Sequence, residues 1–501
     1  MAKYKRYDYS QKVLIPVFLE EQLVPGSLEF AIHTLIETRM DMSVFEGKYK
    51  NDQTGRSAYD PKILLKVVLL GYSRGLISSR QIERACCENV TFMALSGNQR
   101  PDHSTIAAFV SSMKDQILPL FCDILLVCEQ ENLLGGSFFA LDGVKLPANA
   151  SKECSGRISE LKNKKDKIQQ RVKGLLKDQI DADKDDHDDP GAPPKREQQI
   201  EKLKKQAERI DKWLKENDAK TGSGGRELKS NLTDNDSALM LTSQGTIQGY
   251  NGQALVDDKH QIIVHAAAFG SGQDAKHLEP MVDGAKDNLQ KIGQSADYFK
   301  GKIFTADTNY HNQSNLKKCH DEQLDAFIPD LKFRNRDSRF ATRPRNKPKK
   351  GNKFVLEDFK HNQQKDHYLC PNSKILKLNV KKHIRDHNIY RRYMADEKDC
   401  SSCSLKRRCF YRKNTKRRSL DVPIGAAKTN FSKAMQNKVD SDRGRKIYPQ
   451  RFAVVEPVFA NIKTQKRLDR FTLRGKIKVN IQWMLYCMVH NIEKCMNSAM
   501  A

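Results

Sequence analysis

The stretch Phe138-Phe139-Ala140-Leu141-Asp142-Gly143-Val144-Lys145 constrains this chain more than any other. Four apolar residues run into one aspartate and then a glycine. Such a run reads as a buried strand with a carboxylate at its end. A charge there is costly unless something pairs with it, and a cation is the natural partner. The pattern returns at Lys302-Ile303-Phe304-Thr305-Ala306-Asp307-Thr308-Asn309-Tyr310. Far downstream, Phe452-Ala453-Val454-Val455-Glu456-Pro457-Val458-Phe459 sets an acid just ahead of a helix. A residue before proline avoids helical geometry, so Glu456 is expected at a helix mouth, near its positive end. Asp142, Asp307 and Glu456 together make the ligand set of a two-metal phosphoryl-transfer centre. Two Mg²⁺ (or Mn²⁺) ions about 3.5–4 Å apart lower the pKa of bound water, so no histidine base is required. Hard cations of this kind take carboxylate oxygens. Taken singly, each acid also reads as a turn or cap residue. Their shared context and the charge of the chain favour the joint reading.

That charge is large. Lys+Arg number 88 against 62 Asp+Glu, a formal +26 over 501 residues. An excess of this size points to a polyanion, most often nucleic acid, with a merely solvated basic surface as the alternative. Apolar runs stay well short of the roughly 18 residues of a membrane span, so no membrane partner is expected. The basic start Met1-Ala2-Lys3-Tyr4-Lys5-Arg6 lacks a following apolar core, so no signal peptide is expected either. Twelve cysteines in such a chain fit reduced thiols in a cytoplasm.

Residues 1–130 read as a helical domain. Asp60-Pro61 starts one helix, Ser78 or Ser79 caps a second, and Asp102 or Ser104 a third. Short helices with polar turns suit a helix-turn-helix-like DNA reader, or an ordinary bundle. Within residues 131–501, an α/β layout of mixed sheet and helices is expected. An insertion over 152–222 carries apolar residues at helical spacing, from Ile158 to Leu175 and from Ile200 to Leu214. This predicts a coiled-coil-like hairpin with an acidic tip at Asp181–Pro190. A meander of strands between Ala238 and Ala267 follows, then a helix over Leu278–Ile292. A second insertion, 332–445, is basic. Arg334 and Arg336 interleave with Phe333 and Phe340, as in a DNA-facing loop or a solvated linker. Cys370, Cys400, Cys403 and Cys409 could close a structural Zn²⁺ site, though only the middle pair has CxxC spacing; free thiols are the alternative. The helix around Ile477–Met496 carries a core stripe.

Several blocks also resemble the DDE transposases of bacterial insertion sequences. They are Asp142-Gly143 with Leu146-Pro147-Ala148-Asn149-Ala150, then Asn231-Leu232-Thr233-Asp234 and Gly249-Tyr250-Asn251-Gly252-Gln253. Ala306-Asp307-Thr308-Asn309-Tyr310 and Glu456-Pro457-Val458-Phe459-Ala460-Asn461-Ile462-Lys463 complete the set. Upstream, Pro61, Ser79-Arg80-Gln81-Ile82-Glu83 and Pro101-Asp102-His103-Ser104-Thr105-Ile106 are similar to the N-terminal helical domain of one large branch. The resemblance implies an RNase H-like core, Mg²⁺-dependent cleavage at transposon ends, and strand transfer by the freed 3′-hydroxyl. It implies that Lys463, Tyr448 and Arg451 grip end DNA, although the gap from Arg451 to Glu456 is one residue longer than the family's usual one. A homodimer on double-stranded DNA, within a bacterial nucleoid, is the matching expectation. A catalytically silent DNA-binding derivative and a metal-dependent nuclease without strand transfer are the rival readings.

Overall fold

Helices in the first third of the chain begin at the caps that their sequence offers. The computed structural model describes residues 18–48, 57–182, 193–222, 225–342, 353–385, 388–410, 414–423 and 430–499. Ser27 caps α1 (Leu28–Thr38) by accepting from the Phe30 N–H. Asp60 caps α2 (Pro61–Ser73), whose first residue is a proline that has no N–H to leave unsatisfied. Ser78 and Gln81 form a reciprocal capping box on α3 (Ser79–Glu88). Asn89 caps α4 (Val90–Leu95), and Asp102 caps α5 (His103–Ser111) through the Ser104 and Thr105 N–H groups. The helix α6 (Ile117–Gln130) then leads into β1 (Phe138–Pro147).

The two-stranded pair β2 (Ser155–Gly156) and β3 (Ser230–Asn231) brackets the hairpin of α7 (Ile158–Ala182) and α8 (Pro193–Glu216). Leu161 packs with Ile210 and Trp213 at one end, and Val172 and Leu175 with Ile200 further along, so the helices run antiparallel. Most of the expected acidic tip, residues 183–190, lies outside the described residues. Next come β4 (Ala238–Thr242), β5 (Gly245–Asp257), β6 (Ile263–Phe269), α9 (Leu278–Lys291), β7 (Ile303–Ala306), α10 (Gln313–Asp321) and β8 (Asp325–Phe327).

The main sheet runs β4-β5-β1-β7-β8, with β6 also on β5. Gly249 pairs with Pro147 on one side and Ala238 on the other, while Asn251 pairs with Lys145 and Phe269. Therefore β4 and β6 lie end to end along the outer edge of β5. β1 is antiparallel to β5 and parallel to β7, and β7 is parallel to β8. This mixed order, with an N-terminal helical region and flanking helices, is consistent with an RNase H-like core.

The chain divides into two compact units, Met1–Ile328 with Asp442–Ala501, and Pro329–Ser441. The second contains α11 (Phe333–Arg336), β9 (Lys360–Asn362), β10 (His367–Leu369), β11 (Ile375–Arg385), β12 (Asn388–Ala395), α12 (Glu397–Ser401), α13 (Lys406–Cys409), β13 (Ser419–Pro423) and α14 (Phe431–Asp440). Its five strands form an antiparallel sheet over a small core of Phe354, Phe359, Tyr368, Leu376, Tyr393, Ala395 and Leu420.

Back in the first unit, α15 (Asp442–Ile447), α16 (Gln450–Ala460) and α17 (Lys476–Ala499) finish the fold. Val479, Ile481, Trp483, Leu485, Met488, Val489 and Ile492 are all buried on α17. They point to more than one side because the helix is covered by β6 on one side and by α2 and α6 on another. Burying each such side chain is worth about 1.5–3 kcal/mol. Tyr72 of α2 stacks on Tyr486 with ring centroids 4.5 Å apart. Two asparagines of α17 also cover the edge of β6: Asn480 bonds the N–H and C=O of Ala268, and Asn491 those of Ile263, at 2.8–2.9 Å. The N-terminal helices and the sheet are thus joined through one helix. Among the described residues no helix is long and apolar enough to cross a membrane.

Candidate active site

The parallel register of β1 and β7 sets Leu141 beside Ala306. The next residue on each strand is an aspartate, so Asp142 and Asp307 stand side by side where β7 ends. Asp307 leaves the strand and caps a short 3-10 turn, its Oδ1 accepting from the Asn309 N–H at 2.8 Å. Asp142 Oδ1 accepts from the Gly143 N–H at 2.8 Å, and its Oδ2 accepts from Arg451 Nη1 at 2.6 Å. Arg451 comes from α16, which packs on β1, and is only 5% exposed. Burial pushes the Asp307 carboxyl up to about 6, and the like charges of Asp142 and Asp274 add to it; the Asn309 N–H and Arg451 pull the other way. Adjacent carboxylates that lack a full countercharge behave in this way.

Gly143 is required by what lies behind it. A Cβ there would stand 2.0 Å from Gln253 Nε2 and 2.7 Å from Asn251 Oδ1. Both side chains rise from β5, where Gln253 pairs with Gly143 and Asn251 with Lys145. Gln253 Nε2 donates to Asn251 Oδ1 at 3.0 Å, and the buried Tyr310 hydroxyl donates to Gln253 Oε1. A ladder of buried amides therefore backs Asp142, which lies midway along β1 and not at a strand end as the sequence suggests, because the pairing with β5 continues to Pro147. Residues on one strand alternate between faces, so the ladder and Asp142 lie on opposite faces of the sheet.

Glu456 departs from expectation. It lies well inside α16, not at the helix mouth, because Pro457 is accommodated in the helix interior. Proline there removes one backbone donor and strands the carbonyl four residues earlier. That carbonyl, Ala453 O, accepts instead from Gln261 Nε2 at 2.9 Å. Gln261 reaches it from a left-handed backbone conformation, φ 61°, in the turn between β5 and β6. The Glu456 side chain is exposed, about one and a half turns from Arg451. Lys463, also exposed, lies on a π-helical turn, Asn461–Gln465, that follows α16. Among the described residues no group of three or more His, Cys, Asp or Glu side chains stands together as an ion cage. The structure thus brings Asp142, Asp307 and Arg451 together, with Glu456 further along the helix that supplies Arg451.

The remaining candidates are placed as follows. Tyr448 is buried, its ring 5.9 Å from the Arg451 guanidinium. In the second unit, Arg334 is exposed against the rings of Phe333 and Phe340, at 5.5 and 5.6 Å. Arg336 is bound to the carboxylates of Asp330 and Asp440. Cys370, Cys400 and Cys409 pack on the second unit's core, and Asn372, two residues from Cys370, donates to Cys403 Sγ at 3.6 Å. None of the four is in a disulfide. Asp274 drew no notice in the sequence, because Ser271-Gly272-Gln273-Asp274-Ala275 has neither an apolar run nor helical periodicity.

Two family models match the chain, and both describe transposases. Residues 18–112 match the transposase domain family DUF772, and residues 369–496 match the transposase DDE domain. Together the two matches support a DDE-type transposase of an insertion sequence. The DDE match takes in Glu456, Lys463 and the four cysteines, while Asp142 and Asp307 lie between the two matched stretches. No curated protein matches the chain.

Proposed function

We propose that this transposase cleaves DNA at the terminal inverted repeats of its element in a Mg²⁺-dependent reaction, and joins the freed 3′-hydroxyl to target DNA. The observation that carries the reading is the parallel register that sets Leu141 beside Ala306, so that Asp142 on β1 and Asp307 just past β7 follow side by side. Their donor chemistry fits a hard divalent cation, and their mutual repulsion is relieved by one. Asp142, Asp307 and Glu456 would hold Mg²⁺ or Mn²⁺, which when bound supplies charge neutralisation and an activated oxygen nucleophile.

The chain's own groups do the rest. The Gly143 and Asn309 N–H groups orient the two carboxylates. Arg451 holds Asp142 in place and screens it from Asp307. Lys463 and Arg334, both exposed, contact phosphates, and Tyr448 packs under Arg451 as its support. Residues 1–130 read the ends, residues 131–501 form the catalytic region, and the hairpin of α7 and α8 pairs two copies. The cysteines of residues 332–445 take a structural Zn²⁺.

Asp307→Asn tests the core of this reading. On duplex DNA carrying the element's ends, with Mg²⁺, cleavage is lost while mobility-shift binding is kept. Cleavage by the variant at the wild-type rate sinks the site. Wild-type binding without any cleavage favours a silent DNA-binding derivative, and cut ends that never join a target plasmid favour a simple nuclease.

A further inference from the structure

Asp274 lies outside the acidic triad, yet three side-chain amides converge on it. Asn251 Nδ2 and Gln253 Nε2 donate to its Oδ1 at 2.6 and 3.1 Å. Asn309 Nδ2 donates to its Oδ2 at 3.1 Å. Asn251 and Gln253 are fully buried, so both need a partner that accepts. Asn309 is shared: its backbone N–H and its amide also bond Asp307 Oδ1 and Oδ2, at 2.8 and 3.1 Å. Through Gln253 the same network reaches Tyr310, three residues after Asp307. Asp274 itself sits on the short 3-10 turn Asp274–Lys276 that leads into α9. It therefore reaches Asp307 only through Asn309, from the amide-ladder side of the sheet, while Arg451 meets Asp142 from the other.

We infer that Asp274 is a further positioning residue of the reaction centre, acting through Asn309 to fix the Asp307 carboxylate. The inference rests on the reading of Asp307 as a catalytic acid. Only a carboxylate satisfies the geometry. It accepts on both oxygens, whereas an amide at 274 would turn an NH₂ group toward one of the three NH₂ donors. Groups that orient a metal-binding carboxylate typically contribute about 10–100-fold to activity or metal affinity.

The test is a double-mutant cycle of Asp274→Asn and Asn309→Ala, with Asp307→Asn alongside. Cleavage of end-containing duplex is followed at saturating Mg²⁺, and the shift in melting temperature on adding Mn²⁺ is read without DNA. Asp274→Asn lowers kcat about ten-fold or more with little change in KM for DNA, and shrinks the Mn²⁺ shift. Asn309→Ala does the same, and the double variant is no worse than either alone. Unchanged kcat and Mn²⁺ shift in Asp274→Asn, or losses that multiply in the double variant, overturn the inference. Should Asp274→Asn fail to fold, Asn309→Ala alone decides, since wild-type kcat in it removes the path. Full activity in Asp307→Asn would sink the underlying site instead, so the two failures stay distinct.

Discussion

Asp307 makes the folded chain less stable at neutral pH. Its carboxyl is pushed from an ordinary 3.8 up to about 6, first by burial and then by Asp142 and Asp274. Between those two values the folded form holds a proton that the unfolded chain has released. Stability therefore falls as pH rises across the window, and the deficit is complete above it. At about 1.36 kcal/mol per pH unit, the deficit at pH 8 comes to about 3 kcal/mol. Asp307→Asn removes the charge and keeps an oxygen that can cap the following turn, while its NH₂ group, turned toward Asn309 Nδ2, offsets part of the gain. In chelator at pH 8 the variant should be more stable than the wild type by up to about 3 kcal/mol. Spread over a unit of this size, that is a rise on the order of 3–4 °C in melting temperature. At pH 5 the gain should shrink to about half. Added Mg²⁺ should stabilise the wild type more than the variant, because only the wild type has the charge to neutralise. The measurement is a set of thermal melts from pH 5 to 8, with and without Mg²⁺. A variant less stable than wild type at pH 8, or a gain that ignores pH, refutes the reasoning. Under the proposed function a proton competes with Mg²⁺ for this carboxylate, so cleavage should fall in acid and added Mg²⁺ should restore it.

Further outcomes test other parts of the structure. Gly143→Ala drives a Cβ into the amides of Gln253 and Asn251, and should lower stability by about 1–3 kcal/mol in the same melts. Gln261→Ala removes the donor to Ala453 O beside Pro457, and since that bond is solvent-exposed the loss should be about 0.5–1.5 kcal/mol. Lys463→Ala should weaken binding to end DNA and reduce the slope of log K against log salt by about 1, measured by fluorescence anisotropy. Elemental analysis of purified protein should find zinc, and a Cys400→Ser, Cys403→Ser variant should lose it; a metal-free wild type ends the zinc reading.

The two aspartates were legible because buried strands announce themselves. Phe138–Leu141 and Ile303–Ala306 are short apolar runs, and an acid at the end of each needs no tertiary knowledge to notice. Local caps were equally readable: the structure selects Ser78 over Ser79 and Asp102 over Ser104. Glu456 was misplaced because the rule about residues preceding proline is local, while the group that rescues the helix is not. Gln261 lies 192 residues away in the chain and donates from a turn that no pattern marks. Asp274 was missed for a related reason. Its partners come from β5 and from the turn after β7, so its role exists only once the sheet has formed.

The arrangement around α17 bears on how the protein is made. The N-terminal helices and the edge of β6 rest against a segment that is synthesised after both. Until Lys476–Ala499 has left the ribosome, α2 and α6 lack their cover and the amide groups of Ile263 and Ala268 stay exposed to water. A nascent chain halted upstream of that helix would hold Asp142 and Asp307 without a settled scaffold. Unfinished copies therefore lack the packing that places the two aspartates side by side.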